Sequence, residues 1–225
     1  MHIQELVLYT SSLASQKQFY SQALGLSLVD ERPDSFTVQA GLTRLSFHET
    51  KQNVLYHIAF TIPRNKFARA KDWLVRQQIP FLRKDGEDEI FFDNINARSC
   101  YFPDPDNNIL EFIVHYNLAR ETDGDFSPAD VLHVSEIGLP VEDVPALATK
   151  FEETLGLKPY GGPVSEGFAF MGDITGQLVV TKIGRPWLPT LTVPAAPSPV
   201  QVTLSGTRKQ WLDLAPYPYI LTAHQ

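Results

Sequence analysis

Tyr101 to Tyr116 reads YFPDPDNNILEFIVHY, and the residue in it best suited to chemistry is Glu111. Ile109 to His115 alternates as a strand does. Glu111, Ile113 and His115 therefore share one face, and Leu110, Phe112 and Val114 the other. A carboxylate among residues this apolar needs a partner, because a buried unpaired charge is expensive. Strand parity also puts Glu5 and His57 on faces that carry small or polar residues. Two carboxylates and one imidazole suit a divalent cation (Fe, Mn, Zn, Ni or Mg) with positions left open for substrate oxygens. Such an ion would act as a Lewis acid, polarising a carbonyl or stabilising an enediolate. A structural reading competes: Arg44 could make a forked ion pair with Glu5 or Glu111 and leave no room for a metal.

Strands must hold these groups, and the chain supplies them in repeated order. Met1–Thr10 reads as a strand, followed by a helix that Ser11 or Ser12 can cap and Gly25 ends. Three strands are expected at Leu26–Glu31, Ser35–Gln39 and Thr43–His48, which makes a β-α-β-β-β unit. Leu55–Pro63 opens a second unit, with a helix from about Asn65 that Pro80 breaks. Ile90–Phe92, Arg98–Phe102 and Ile109–His115 follow as strands. Asp104-Pro105-Asp106-Asn107-Asn108 is a dense turn signal.

The pattern then restarts. Glu136 matches Glu5, Leu139 matches Leu8, and Leu155-Gly156-Leu157 matches Leu24-Gly25-Leu26, all at one ungapped offset of 131 residues. That is the mark of an internal repeat. Gly167–Met171 and Gln177–Ile183 continue the third unit. A Pro-rich connection, Arg185 to Pro199, leads to Val200–Leu204, and Tyr217–Ala223 could supply a final strand. The residues beyond Leu204 are too few for a helix and three strands, so the fourth unit is truncated. The fold class expected is α+β, with tandem βαβββ units forming cupped mixed sheets. Residues 1–118 would be a complete two-unit cup with the candidate site, 119–130 a linker, and 131–225 the third unit plus the truncated fourth.

"LYTSSLASQKQFYSQALGL" near the start, "YHIAF" opening unit two and "YFPDPDNNILEF" closing it resemble the vicinal oxygen chelate superfamily. That group includes glyoxalase I, fosfomycin- and bleomycin-resistance proteins and extradiol dioxygenases. The resemblance covers residues 1–118 and much of Val131–Ile183. It implies that two units pair into a cup, with metal ligands on the first and last strands of each. Carried over, those positions are Glu5, Arg44, His57 and Glu111; Arg44 departs from the pattern. It further implies a metal-dependent lyase, isomerase or dioxygenase acting on a small substrate with vicinal oxygens. Here Glu5, His57 and Glu111 would be ligands, and Arg44 would orient Glu111 or neutralise substrate charge. Extradiol cleavage fits less well, since those sites resemble two His and one Glu, and Arg44 speaks against glyoxalase activity. The alternative is a metal-free ligand-binding or drug-sequestering protein of the bleomycin-resistance type, with Arg44 closing an ion-pair network.

Other residues complete the expected site. Tyr9 shares a face with Glu5 as a pocket wall or acid, and Phe47 and Tyr101 would hold an aromatic ligand. His48 and His115 each lie four residues beyond a site position, about 13 Å along the strand, too far to share one metal. They are expected at the cup mouth. Glu136 repeats Glu5, but Thr222 and Gln201 stand where its partners would, so it is expected in an ion pair or helix cap. Arg185 and Trp187, on a Pro-fixed loop, either strap the sheet or cover a pocket and hold an anion. Cys100 reads as a packed strand residue.

Composition narrows the partners. A net charge of −7 argues against nucleic acid and anionic membranes, which want a basic face. One cysteine excludes an intramolecular disulfide, and no signal or membrane-span pattern is present. The chain is expected to be cytoplasmic, to take a small-molecule substrate or ligand, and to form a homodimer if the truncated half is completed by a second copy.

Overall fold

The computed structural model describes residues 1–224. Unit one comprises β1 (His2–Thr10), α1 (Leu13–Gln18), β2 (Ser27–Arg32), β3 (Ser35–Ala40) and β4 (Thr43–Glu49). Unit two comprises β5 (His57–Thr61), α2 (Phe67–Arg76), β6 (Ile90–Phe92), β7 (Ala97–Pro103) and β8 (Ile109–His115). Unit three comprises β9 (His133–Val141), α3 (Val144–Leu155), β10 (Phe168–Asp173) and β11 (Gly176–Lys182). Unit four keeps only β12 (Val200–Ser205), β13 (Gln210–Asp213) and β14 (Tyr219–Ala223).

Local chemistry explains the boundaries. Asp143 caps α3 by accepting from the Ala146 amide, and Gly156 at φ +73° turns the chain out of that helix. After α1 the helix widens into a π turn at Phe19–Ala23, which carries the buried Tyr20. Unit three has lost a strand where Pro159, Gly161, Gly162 and Pro163 interrupt the chain; only a bridge from Pro159 to Met171 remains.

The strands form two seven-stranded sheets, ordered β13-β14-β12-β1-β4-β3-β2 and β10-β11-β9-β5-β8-β7-β6. Unit one therefore pairs with unit four through antiparallel β1 and β12, and unit two pairs with unit three through antiparallel β5 and β9. This corrects the pairing of units one and two expected for residues 1–118. The reason lies in the connection at 116–132. It packs against unit two, where the Lys66 ammonium donates to the carbonyls of Asp123, Gly124 and Asp125. It then delivers β9 to the open edge of β5, and the Leu132 amide donates to the Thr61 carbonyl at 2.9 Å. The edge of β1 stays free until β12 closes it.

One large core fills the interior. Leu6, Leu8, Leu45 and Phe47 from the first sheet, Ile58, Phe60, Leu110 and Phe112 from the second, and Leu74 and Phe151 from the helices belong to it. The period-2 alternation fixes what the other face of each sheet carries.

Candidate metal centre

The centre is a consequence of register. On β5, Ala59 pairs with Glu111 of β8 on one side and with Glu136 of β9 on the other. His57, two residues earlier, shares Ala59's face. One short side chain between two cross-strand carboxylates leaves a space that an imidazole overlooks. Ligand atoms of His57, Glu111 and Glu136 all lie within 4.8 Å of one another. All three residues are buried.

The Nδ1 atom of His57 lies 3.1 Å from the Ile109 carbonyl, which can only accept, so Nδ1 carries the hydrogen. Nε2 then faces the carboxylates, 3.5 Å from Glu111 Oε2 and 3.7 Å from Glu136 Oε2. Both separations are too long for good hydrogen bonds. They are close to the spacing of donors around one ion, since two bonds of about 2.1 Å at a tetrahedral angle hold their donors about 3.4 Å apart. A ring oriented through its second nitrogen by a backbone carbonyl is the usual setting of a metal-binding histidine.

Electrostatics point the same way. Burial raises the Glu111 carboxyl to about 8; the Glu136 charge adds to this, while His57, Ser99 and Tyr101 oppose it. Burial opposes the His57 imidazolium, but Glu136 and Glu111 outweigh it and raise its pKa. Neither carboxylate has a Lys or Arg partner among the described residues. With Glu111 ionised, two buried acids facing one imidazole would be deficient in positive charge, which a divalent cation would supply. The donor set fits such an ion.

The three donors lie in the wall of a cavity of about 220 Å³. Tyr101, directly opposite Glu111 in the β7–β8 ladder, joins Phe92, Phe168, Phe170 and Trp187 as its aromatic surface. Trp187 belongs to a strap closed by its amide to the Val193 carbonyl and by the Ala195 amide to the Arg185 carbonyl, both at 2.9 Å. Its ring lies 5.1 Å from that of His57 and rests on Gly138 of β9.

Residues 2–112 match the model of the Glyoxalase/Bleomycin resistance protein/Dioxygenase superfamily. Over those residues, the chain is a member of that superfamily. A Bacillus subtilis protein titled "putative dioxygenase" superposes with a TM-score of 0.60 at 18% identity, covering 90% of this chain and 70% of its own. At that identity the likeness is one of fold. A glyoxalase/bleomycin resistance protein/dioxygenase from Alicyclobacillus acidocaldarius matches at 23% identity and TM-score 0.42, over 51% of this chain and 91% of its own. A lactoylglutathione lyase from Agrobacterium tumefaciens matches at 21% and 0.41, over 50% and 92%. The last two overlaps carry no argument. No curated protein matches the sequence.

Within this superfamily fold, the structure gathers only some of the residues expected at the site. His57, Glu111 and Tyr101 stand together. Glu5 does not join them, because β1 lies between β4 and β12 in the other sheet. There Glu5 meets Arg44 at 3.4 Å, both half-exposed, so Arg44 is also remote from the cavity. Tyr9 accepts from Gln201 on the same outer face, beside His48. Phe47 points the opposite way into the core, stacked on Phe36 at 5.0 Å. His115 is buried with neither ring nitrogen partnered among the described residues, and it does not line the cavity. Glu136, expected in an ion pair or cap, takes the place expected for Glu5. The repeat already held that signal, since Glu136 matches Glu5 at the 131-residue offset; what was missing was which units share a sheet. Ala59, Phe168 and Phe170 carried no sequence signal, because their roles arise from register across strands distant in sequence.

Proposed function

We propose that the chain binds one divalent cation through His57 Nε2 and the carboxylates of Glu111 and Glu136, and acts on a small oxygen-bearing substrate in the adjoining cavity. The observation that carries this is the convergence of three buried donors on one wall of an aromatic-lined space. When bound, the ion would supply Lewis acidity toward substrate oxygens, for lyase, isomerase or dioxygenase chemistry. The chain's own groups divide the remaining work. Ile109 fixes the His57 tautomer, and Trp187 and Phe168 exclude water. With Arg44 absent from the cavity, no fixed guanidinium from that residue opposes a dication there.

A second reading rests on the cavity wall itself. Five aromatic side chains around about 220 Å³ suit an apolar ligand without any metal, as in a sequestering protein. Cobalt titration of chelator-treated protein separates the two. The proposal expects visible absorption that saturates at one equivalent and is lost in Glu111→Ala. Absorption unchanged by the substitution, or none at all, would leave only the metal-free reading.

A further inference from the structure

Arg185 is a charge the metal-centre proposal does not use. It lines the same cavity, yet it makes no ion pair and no side-chain hydrogen bond among the described residues. Its guanidinium sits 4.6 Å over the ring of Phe168. That contact occupies one face of the planar group and leaves its N–H edge unpaired. Burial without a compensating carboxylate disfavours the charge, and so lowers the Arg185 pKa. Guanidinium remains protonated regardless, so a half-buried cation without an acidic partner among the described residues lines the cavity.

The residue is also held in place. Gly184 donates to the Ala195 carbonyl at 2.8 Å, Ala195 donates back to Arg185 at 2.9 Å, and Trp187 donates to Val193. Within this ladder Arg185 and Trp187 alternate with the exposed Pro186 and therefore face the cavity together. A preorganised fork beside an indole recognises a planar anion attached to a ring. The volume sets the size. About 220 Å³ in a partly open cavity gives room for a single substituted ring.

We infer that the ligand of this cavity is a small aromatic acid, its ring against Trp187 and Phe170 and its carboxylate on the free edge of Arg185. The inference rests on the proposed site but assigns a ligand class that the metal donors do not determine. Benzoate and phenylacetate are the probes, with benzamide and phenylacetamide as uncharged counterparts. Isothermal titration is run on chelator-treated and on metal-loaded protein. The acids should bind 1:1 in both states, about tenfold or more tighter than the amides. Arg185→Gln should abolish the difference, and Arg185→Lys should retain part of it. Cobalt uptake, measured separately, should be unchanged in both variants, so failure of the metal proposal and failure of this one give different results. Equal affinity for acids and amides, no binding of either acid, or an acid preference that survives Arg185→Gln would overturn the assignment. So would a preference present only in metal-loaded protein, because the anion would then be reading the ion.

Discussion

At the scale of single residues, the same sequence stretch holds two acids with different roles. Asp104 is the hub of the turn before β8. Its Oδ1 accepts from the amides of Asp106 and Asn108, and its Oδ2 from Gln16, Tyr20 and Asn108 side chains. Burial still raises its pKa to about 6 against these donors. The DPDNN signal was legible as a turn, but its tie to the first helix was not, because nothing local marks Gln16 and Tyr20 as its partners. Asp104→Ala leaves several buried donors unsatisfied and should cost about 2–4 kcal/mol in urea unfolding. Phe47 illustrates the opposite error. One residue along β4 separates the two faces, and the structure puts its ring in the core. Phe47→Ala should therefore lower stability by about 3–5 kcal/mol and leave metal binding intact in the folded fraction.

At the scale of elements, the pairing of β5 with β9 creates the centre, and the strap over β9 gives it a wall. Strand positions, helices and the turn were readable from period and punctuation. The partner of each strand edge was not, because main-chain donors and acceptors look alike on every edge. Gly138 couples the two elements. A Cβ there would meet Trp187 Cη2 at 2.7 Å and Cζ2 at 2.9 Å. Gly138→Ala should therefore shift the indole, change tryptophan emission and cost about 1–3 kcal/mol. Cobalt binding should persist, since the donors sit on β5, β8 and β9 themselves. Unchanged emission would mean the strap yields freely and does not define the cavity.

At the scale of the whole molecule, both sheets are completed by the C-terminal half. A fragment spanning 1–118 would leave β1 without β12 and β5 without β9, two long unpaired edges beside core residues. It should be aggregated or unfolded by sedimentation and circular dichroism. A monomeric, cooperatively melting fragment would show that the first two units are a domain in their own right. Acid sensitivity also belongs to this scale, because the buried histidines lie where the chain's halves meet. Burial lowers His133 to about 4, with His2 and His115 adding to the effect, and lowers His115 too. A depressed folded pKa makes that stability complete above about 6.5 and lost as pH falls toward 4. His133→Gln should flatten this acid limb of the stability curve relative to the parent protein. No helix among the described residues is long and apolar enough to cross a membrane.

In the proposed centre the third donor, Glu136, comes from the third repeat. Metal content by elemental analysis, after exposure to excess Mn²⁺, Zn²⁺ or Fe²⁺ and exhaustive dialysis, tests it in one pair of variants. Glu5→Gln should retain about one equivalent of the preferred ion, and Glu136→Gln should lose it while remaining folded. A full equivalent in Glu136→Gln, or its loss in Glu5→Gln, would contradict the placement of the centre.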